Sequence, residues 1–175
     1  MLFPLTGLIL AGGGSSRMGM DKAELRLQGV SLLQHARELL RSIGAAKIHV
    51  VGRPDEPDGL PDDEPLGGPA RAIVSAARRL EGGVILVIPV DMPLLNAGDL
   101  HCLAEHHAAA WRDHPLPCAL PVEAAAAAPE DARSMRALLD ACGAIWLDPG
   151  ADRPERLANI NTPEDAARLG LSLDP

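Results

Sequence analysis

A chain of 175 residues, 47% hydrophobic and 23% charged, is sized for one domain around a single core and is too apolar to stay disordered. A net charge of −8 excludes a general nucleic-acid or anionic-membrane surface. An aromatic content of 2%, with no tyrosine, excludes a stacking platform for single strands. A polyanionic ligand must therefore be met by local cations. Cys102, Cys118 and Cys142 are odd in number and widely spaced, so neither a disulfide framework nor a CxxC metal motif is expected, and a reducing, cytoplasmic setting fits. The first residues lack a basic n-region and no apolar run is long enough to span a bilayer, so no secretory leader or membrane segment is expected.

Residues 6–11 are an apolar run closed by Gly12, Gly13 and Gly14, which predicts a buried parallel strand and then a loop to about Asp21. Leu32, Leu33, Ala36, Leu39, Leu40 and Ile43 repeat at helical spacing over 31–43. Ser31 and Gln34 fit a capping box, and Gly44 fits the stop. A strand is expected at 47–52 and a proline-rich, acidic loop at 53–67. The next helix takes Pro69 in its first turn and carries the stripe Ala70, Ile73, Val74, Ala77 and Leu80, with Arg71, Arg78 and Arg79 on a solvated face.

Residues 84–90 form the clearest central strand. A helix from Asn96 is expected to run through Leu100, Leu103, Ala104, His107, Ala108 and Trp111 on one face. Strands follow at 118–122 and 144–147, with a helix near 134–142 between them and an alanine run at 124–128 read as loop or weak helix. Thr162-Pro163-Glu164-Asp165 opens a last helix that ends before Gly170. The alternation predicts an α/β fold with a mostly parallel sheet, in one domain over 1–175.

In such a sheet, ligands bind beyond the carboxyl ends of the strands. Two such ends carry chemistry. The first is Ala11-Gly12-Gly13-Gly14-Ser15-Ser16-Arg17-Met18-Gly19-Met20-Asp21-Lys22. Glycines let backbone N–H groups approach phosphates, hydroxyls add donors, and Arg17 and Lys22 supply a planar fork and a point charge. The loop is neither a dinucleotide fingerprint, for Arg17 stands where glycine is needed, nor a Walker A loop, for Met20 follows Gly19. Glycines alone would fit a tight turn; the two cations favour phosphate binding.

The second end is Pro89-Val90-Asp91-Met92-Pro93. Asp91 reads equally as a ligand for Mg²⁺ beside substrate phosphates or as a turn aspartate. Asp62 and Asp63 read as solvated loop, and Asn159 and Asn161 as turn or cap residues. His101, Cys102, His106 and His107 spread around their helix and do not read as a metal site.

Together these segments resemble the MobA-like nucleotidyltransferases, the family of molybdenum cofactor guanylyltransferase. The resemblance rests on Leu10-Ala11-Gly12-Gly13 through Arg17-Met18-Gly19 and Asp21-Lys22, on Asp62-x-x-Pro65-x-x-Gly68-Pro69, on Pro89-Val90-Asp91-Met92-Pro93, and on Asn159-Ile160-Asn161-Thr162-Pro163-Glu164-Asp165. It spans nearly the whole chain. It implies a three-layer α/β/α Rossmann-like fold and a nucleotide held by Leu10, Ala11, Gly12, Gly13, Gly14, Ser15, Arg17 and Lys22, with Asp62 on the nucleotide side. It implies Mg²⁺ on Asp91 with Asn161 as a second metal or substrate contact, and Arg17, Lys22 and Asp91 as the catalytic set.

The implied reaction moves GMP from GTP onto the phosphate of molybdopterin, with pyrophosphate released. Alternatives in the same frame are a cytidylyltransferase, a transferase for another phosphorylated small molecule, or a nucleotide-binding protein without transfer activity. GTP is expected over CTP because a carboxylate at Asp62 accepts from guanine N1–H and N2–H₂, although Gly52-Arg53-Pro54 lacks the type member's asparagine. The family's Gly-Pro-Leu-x-Gly is here Gly68-Pro69-Ala70-Arg71-Ala72, and the stretch 122–135 is short. Both bear on the acceptor. With the alanine run 124–128 as its wall, the acceptor side is expected to be open, to be completed by a second subunit or a partner protein.

Overall fold

In the computed structural model, which describes residues 3–12, 21–64 and 67–172, the opening apolar run is strand β1 (Leu5–Leu10). A 3-10 turn at Lys22–Glu24 and a small hairpin, β2 (Arg26–Leu27) and β3 (Val30–Ser31), lead into α1 (Leu32–Ser42). There follow β4 (Lys47–Val51), β5 (Gly59–Leu60), α2 (Gly68–Ala77), β6 (Val84–Pro89) and α3 (Ala97–Ala104). The rest of the chain gives β7 (Ala109–Trp111), β8 (His114–Pro121), α4 (Val122–Ala126), α5 (Met135–Ala141), β9 (Ile145–Leu147), α6 (Arg153–Arg156) and α7 (Pro163–Arg168).

The seven-stranded sheet runs β5-β4-β1-β6-β8-β7-β9, parallel throughout except for β8, which is antiparallel to β6 and β7. Its central strands are apolar on both faces, as a sheet covered on both sides requires: Leu8, Ile9, Ile85, Leu86 and Val87 are fully buried. One face packs against α1, α3 and the returning residues Leu157, Ile160 and Ala166. The other packs against α2, α4 and α5. This is the three-layer α/β arrangement.

Local signals explain most of the elements. Ser31 Oγ accepts the Gln34 N–H at 3.2 Å and starts α1, while the Gln34 side chain turns to Glu38 instead of closing the box. Gly44 stops it at φ +86°. Thr162 and Asp165 form a complete capping box on α7.

Four expectations are corrected. The loop 53–67 contains β5, which extends the sheet beyond β4. The helix from Asn96 ends at Ala104, and Trp111 lies on β7, paired with β8 and β9. A short apolar run has no period of its own, so Ala109–Trp111 was drawn into the preceding helical stripe across the polar residues 105–107. Arg71 is not on a solvated face: it is 7% exposed, and its guanidinium turns to Glu64 Oε1 in the loop before α2.

The alanine run is also not an acceptor wall. Val122 N–H donates to Gly83 O, and Ala126 O accepts from Arg78, so α4 starts beside the first residue of β6 and Asp91 lies past its last. Ala125 and Ala128 are core against α2. Small side chains there allow close helix packing and bear on no ligand.

Candidate active site

The site begins where β1 and β4 end. From β1 the chain moves outward to β4 and β5 by way of α1 on one face, then returns by α2 on the other face to β6 on the opposite side of β1, so the strand order reverses here and makes this the switch point of the sheet. Ala11 N–H donates to Val51 O at 3.0 Å, and the next residues, Gly12 and Gly52, meet backbone to backbone. A Cβ on Gly12 would stand 2.6 Å from Gly52 Cα, and one on Gly52, at φ +89°, would clash with Gly12 Cα and N. Only glycine fits at either position. Leu10 O accepts the Val90 N–H at 3.0 Å, which ties the end of β1 to the segment carrying Asp91. Gly13, Gly14, Ser15 and Arg17 lie outside the described residues.

The chain returns at Asp21, whose Oδ1 accepts the Ala23 N–H at 3.0 Å and starts the 3-10 turn. That turn directs Lys22 back over the sheet. Its Nζ lies 2.8 Å from Asp91 Oδ2 and 3.5 Å from Asn161 Oδ1. Asn159 Nδ2 donates to Asp91 Oδ1 at 3.0 Å, and Ile160 N–H donates to the Asp91 carbonyl at 2.9 Å. Lys22, Asp91, Asn159 and Asn161 thus form one polar cluster, drawn from three distant stretches of sequence.

Asn159 was missed in the sequence, where both asparagines read as turn residues. The signal was their spacing. With one residue between them, Asn159 and Asn161 reach Asp91 and Lys22 while Ile160, 1% exposed, faces the core. Arg53 was missed as well. Directly after Gly52, it pairs with Asp21 and with Glu24 Oε1 at 3.0 Å, bracing the turn that holds Lys22.

Asp62 is placed differently from the rest. Its Oδ1 accepts the Glu64 N–H at 3.1 Å, an Asx turn in the loop before α2. Neighbouring Asp63 is held at a pKa of about 2, first by the hydrogen bonds from Arg79 and then by Ser75. Among the described residues, no group of three His, Cys, Asp or Glu side chains converges to hold a metal, His101, Cys102, His106 and His107 included.

The sequence of residues 7–149 matches the model of the MobA-like NTP transferase domain. The chain belongs to the MobA-like NTP transferase family. A molybdenum cofactor guanylyltransferase from Xanthomonas euvesicatoria pv. vesicatoria is 39% identical, over 95% of this chain and 94% of its own. A probable molybdenum cofactor guanylyltransferase from Opitutus terrae is 34% identical, over 94% of each. In fold, the chain is similar to the molybdopterin-guanine dinucleotide biosynthesis protein A of Archaeoglobus fulgidus, with a TM-score of 0.71, 24% identity, and coverage of 94% of this chain and 96% of that one. This MobA-like chain is therefore a nucleotidyltransferase by family, and its Lys22–Asp91 cluster stands where a doubly wound sheet binds its ligand.

Proposed function

We propose that this MobA-like transferase moves GMP from GTP onto the terminal phosphate of molybdopterin and releases pyrophosphate. The relatives bearing that name support the reading, since they align with this chain over nearly their whole length. The observation that carries it in this molecule is the ammonium of Lys22 set between Asp91 Oδ2 and Asn161 Oδ1, at the mouth of the glycine-lined switch point.

In this reading the Gly12–Gly52 contact fixes the start of the phosphate loop, Leu10 to Ser15 wrap the nucleotide, and Asp62 lies on its base side. Asp91 and Asn161 offer hard oxygen donors that already converge on a cationic atom. That donor set fits Mg²⁺, which keeps water and substrate phosphates as its other ligands. The bound cation would supply charge neutralisation on the phosphates. Lys22, released from Asp91, and Arg17 then bear on the triphosphate and stabilise the departing pyrophosphate.

An oxygen of the acceptor phosphate forms the new bond to the α-phosphorus of GTP while the bond to the bridging oxygen of the β-phosphate breaks. The acceptor phosphate has a second pKa of roughly 6, so it arrives ionised and needs no general base. Asn159 takes no part in bond making; its amide holds the Asp91 carboxylate in place.

The same reading treats residues 1–175 as one domain, supported by Leu157, Ile160 and Ala166 packing into the core of β1 and α1. It places the protein in the cytoplasm. The free thiols of Cys102, Cys118 and Cys142 support that, as does the lack among the described residues of any helix long and apolar enough to cross a membrane. A second subunit or delivering partner remains a possible source of acceptor contacts, without support from the alanine run, which is core.

The test is incubation with GTP labelled at the α-phosphate, Mg²⁺ and molybdopterin. Labelled dinucleotide and pyrophosphate in equal amounts are expected. Pyrophosphate no higher than with an Asp91→Asn variant would overturn the reading, and product with CTP alone would move it to cytidylyl transfer.

A further inference from the structure

Asp99 is 1% exposed, the most deeply buried charged side chain among the described residues. It lies outside the cluster around Lys22, yet it joins the two helices that neighbour Asp91 and Asn159 in the chain. On one side it belongs to α3, which follows Asp91 after a short turn, and its Oδ2 accepts the Asn96 N–H at 3.3 Å in a capping box. On the other side it receives α6. Arg156 Nε donates to Oδ2 at 2.9 Å, Arg156 Nη2 to Oδ1 at 2.9 Å, and Arg153 Nε to Oδ1 at 3.1 Å. Arg153 is itself stacked on the buried ring of Trp111, at 4.4 Å from its centroid. Burial pushes the Asp99 carboxyl up, but the hydrogen bonds from Arg156 and Asn96 and the two guanidinium charges outweigh it and hold it below the usual carboxylate range.

A fork of this kind fixes direction as well as distance, because a planar guanidinium meets a carboxylate in one orientation. Arg156 stands three residues before Asn159. Leu157, 1% exposed, is the next anchor, and then Ile160 N–H reaches the Asp91 carbonyl. The chain from the fork to Asp91 is thus short and held at each step. The same carboxylate that caps the helix after Asp91 grips the helix before Asn159.

We infer that Asp99, through Arg156 and Arg153, is a positioning residue for the active site: it holds the segment 159–161 in place against Asp91. It touches no substrate and acts through the asparagines. This rests on the functional reading above for what the placement serves, but the placement itself can be read without any ligand.

The experiment compares Asp99→Asn and Arg156→Met with the wild type. Arg156 is partly exposed and its loss leaves Asp99 paired with Arg153, so this variant is expected to keep the fold where the buried change at Asp99 does not, which thermal unfolding checks. Native-state hydrogen exchange at the Ile160 N–H is the first readout. A loss of protection of about 10-fold or more is expected there, with the amides of β1 and β6 unchanged. The second readout is Mn²⁺ binding with GTP, followed by electron paramagnetic resonance. A several-fold weaker affinity is expected in the variants, with kcat per folded molecule falling and KM for GTP nearly constant.

Unchanged protection at Ile160, or a loss shared equally by the sheet, would overturn the inference. So would lost protection with Mn²⁺ affinity and kcat both intact, for Asp99 would then be structural only. A wild type that shows no Mn²⁺ binding sensitive to Asp91→Asn strikes the functional reading itself, and the role inferred here with it. That failure appears before any Asp99 or Arg156 variant is compared.

Discussion

Lys22 Nζ stands 2.8 Å from Asp91 Oδ2 across 69 residues of sequence, with Asn161 Oδ1 on the far side of the same ammonium at 3.5 Å. The side chains are 20% and 16% exposed, so the pair sits in a partly dried mouth where its charges act more strongly than on the open surface. A cation is therefore already resident at Asp91, and in the function proposed above a metal would have to compete with it.

Lys22→Met is expected to shift binding and turnover in opposite directions. Without nucleotide, Mn²⁺ affinity rises, because the competing ammonium is gone. Transfer falls by about 10²-fold or more, because the charge on the leaving pyrophosphate loses its partner. Lys22→Arg restores transfer only in part, since a planar fork does not replace a compact ammonium. Calorimetry and steady-state kinetics on the same preparations check both signs. Lower Mn²⁺ affinity in Lys22→Met would show that no competition exists.

Asp91→Asn is expected to keep the fold and lose metal-dependent transfer, again by about 10²-fold or more. The amide matches the carboxylate in shape but cannot offer a charged ligand. Thermal unfolding within a few degrees of wild type, beside the kinetic loss, is the expected pair of results. Full turnover at saturating Mg²⁺ would remove Asp91 from the site.

The glycine contact makes a prediction that needs no ligand. Gly12→Ala places a methyl group 2.6 Å from Gly52 Cα, against backbone that cannot rotate away, and should cost about 1–3 kcal/mol along with nucleotide affinity. Gly44→Ala is the control: at φ +86° it carries conformational strain of about 1 kcal/mol, but its Cβ meets open space. Denaturant midpoints separate the two. Equal costs, with nucleotide affinity retained in both, would reduce the Gly12–Gly52 contact to an ordinary turn.

Stability should rise with pH across the acid range. Arg79 holds Asp63 at about 2, Arg71 lowers Glu64, and the backbone N–H of Asn161 lowers Asp165. Burial pushes Asp58 and Asp99 up, and their hydrogen bonds from Arg37 and Arg156 win and lower them. A depressed folded pKa gives stability that is fully present above the unfolded value, about 4, and lost as pH falls through the folded one. Melting temperatures should therefore drop steeply from pH 4 towards pH 2, and Asp99→Asn should flatten that slope. An equal slope in the variant would show that Asp99 does not titrate differently on unfolding.

GTP should bind more tightly than CTP by calorimetry. The reverse order would place base selection elsewhere than Asp62, whose Oδ1 here serves the Glu64 N–H, and would turn attention to Arg53 at the end of β4.

The parts of this molecule visible in its sequence are those with a local cause. The glycine loop, the Ser31 and Thr162 caps, the run of β6 and the stripe of α1 each declare themselves within a few residues. The family motif brought Lys22 and Asp91 onto one page. What stayed hidden depends on partners distant in the chain. β7 exists only because β8 and β9 pair with it, and Asn159 matters only because Asp91 lies beside it. No window of sequence contains those causes.

The segment 159–161 reaches its place on Asp91 late in the order of synthesis. A nascent chain has already delivered β1, β4 and β6, with their glycine loop and Asp91, while the two asparagines are still to be added. A domain folds as a unit, and Leu157, Ile160 and Ala166 belong to the core on one face of the sheet, so that core and the cluster around Asp91 are completed by the same late segment. A product that stops near residue 155 would lack Leu157, Ile160 and Ala166 from one face of the core and leave Asp91 and Lys22 without their amide neighbours. The segment that gives Asp91 and Lys22 their amide neighbours is thus made after every strand of the sheet.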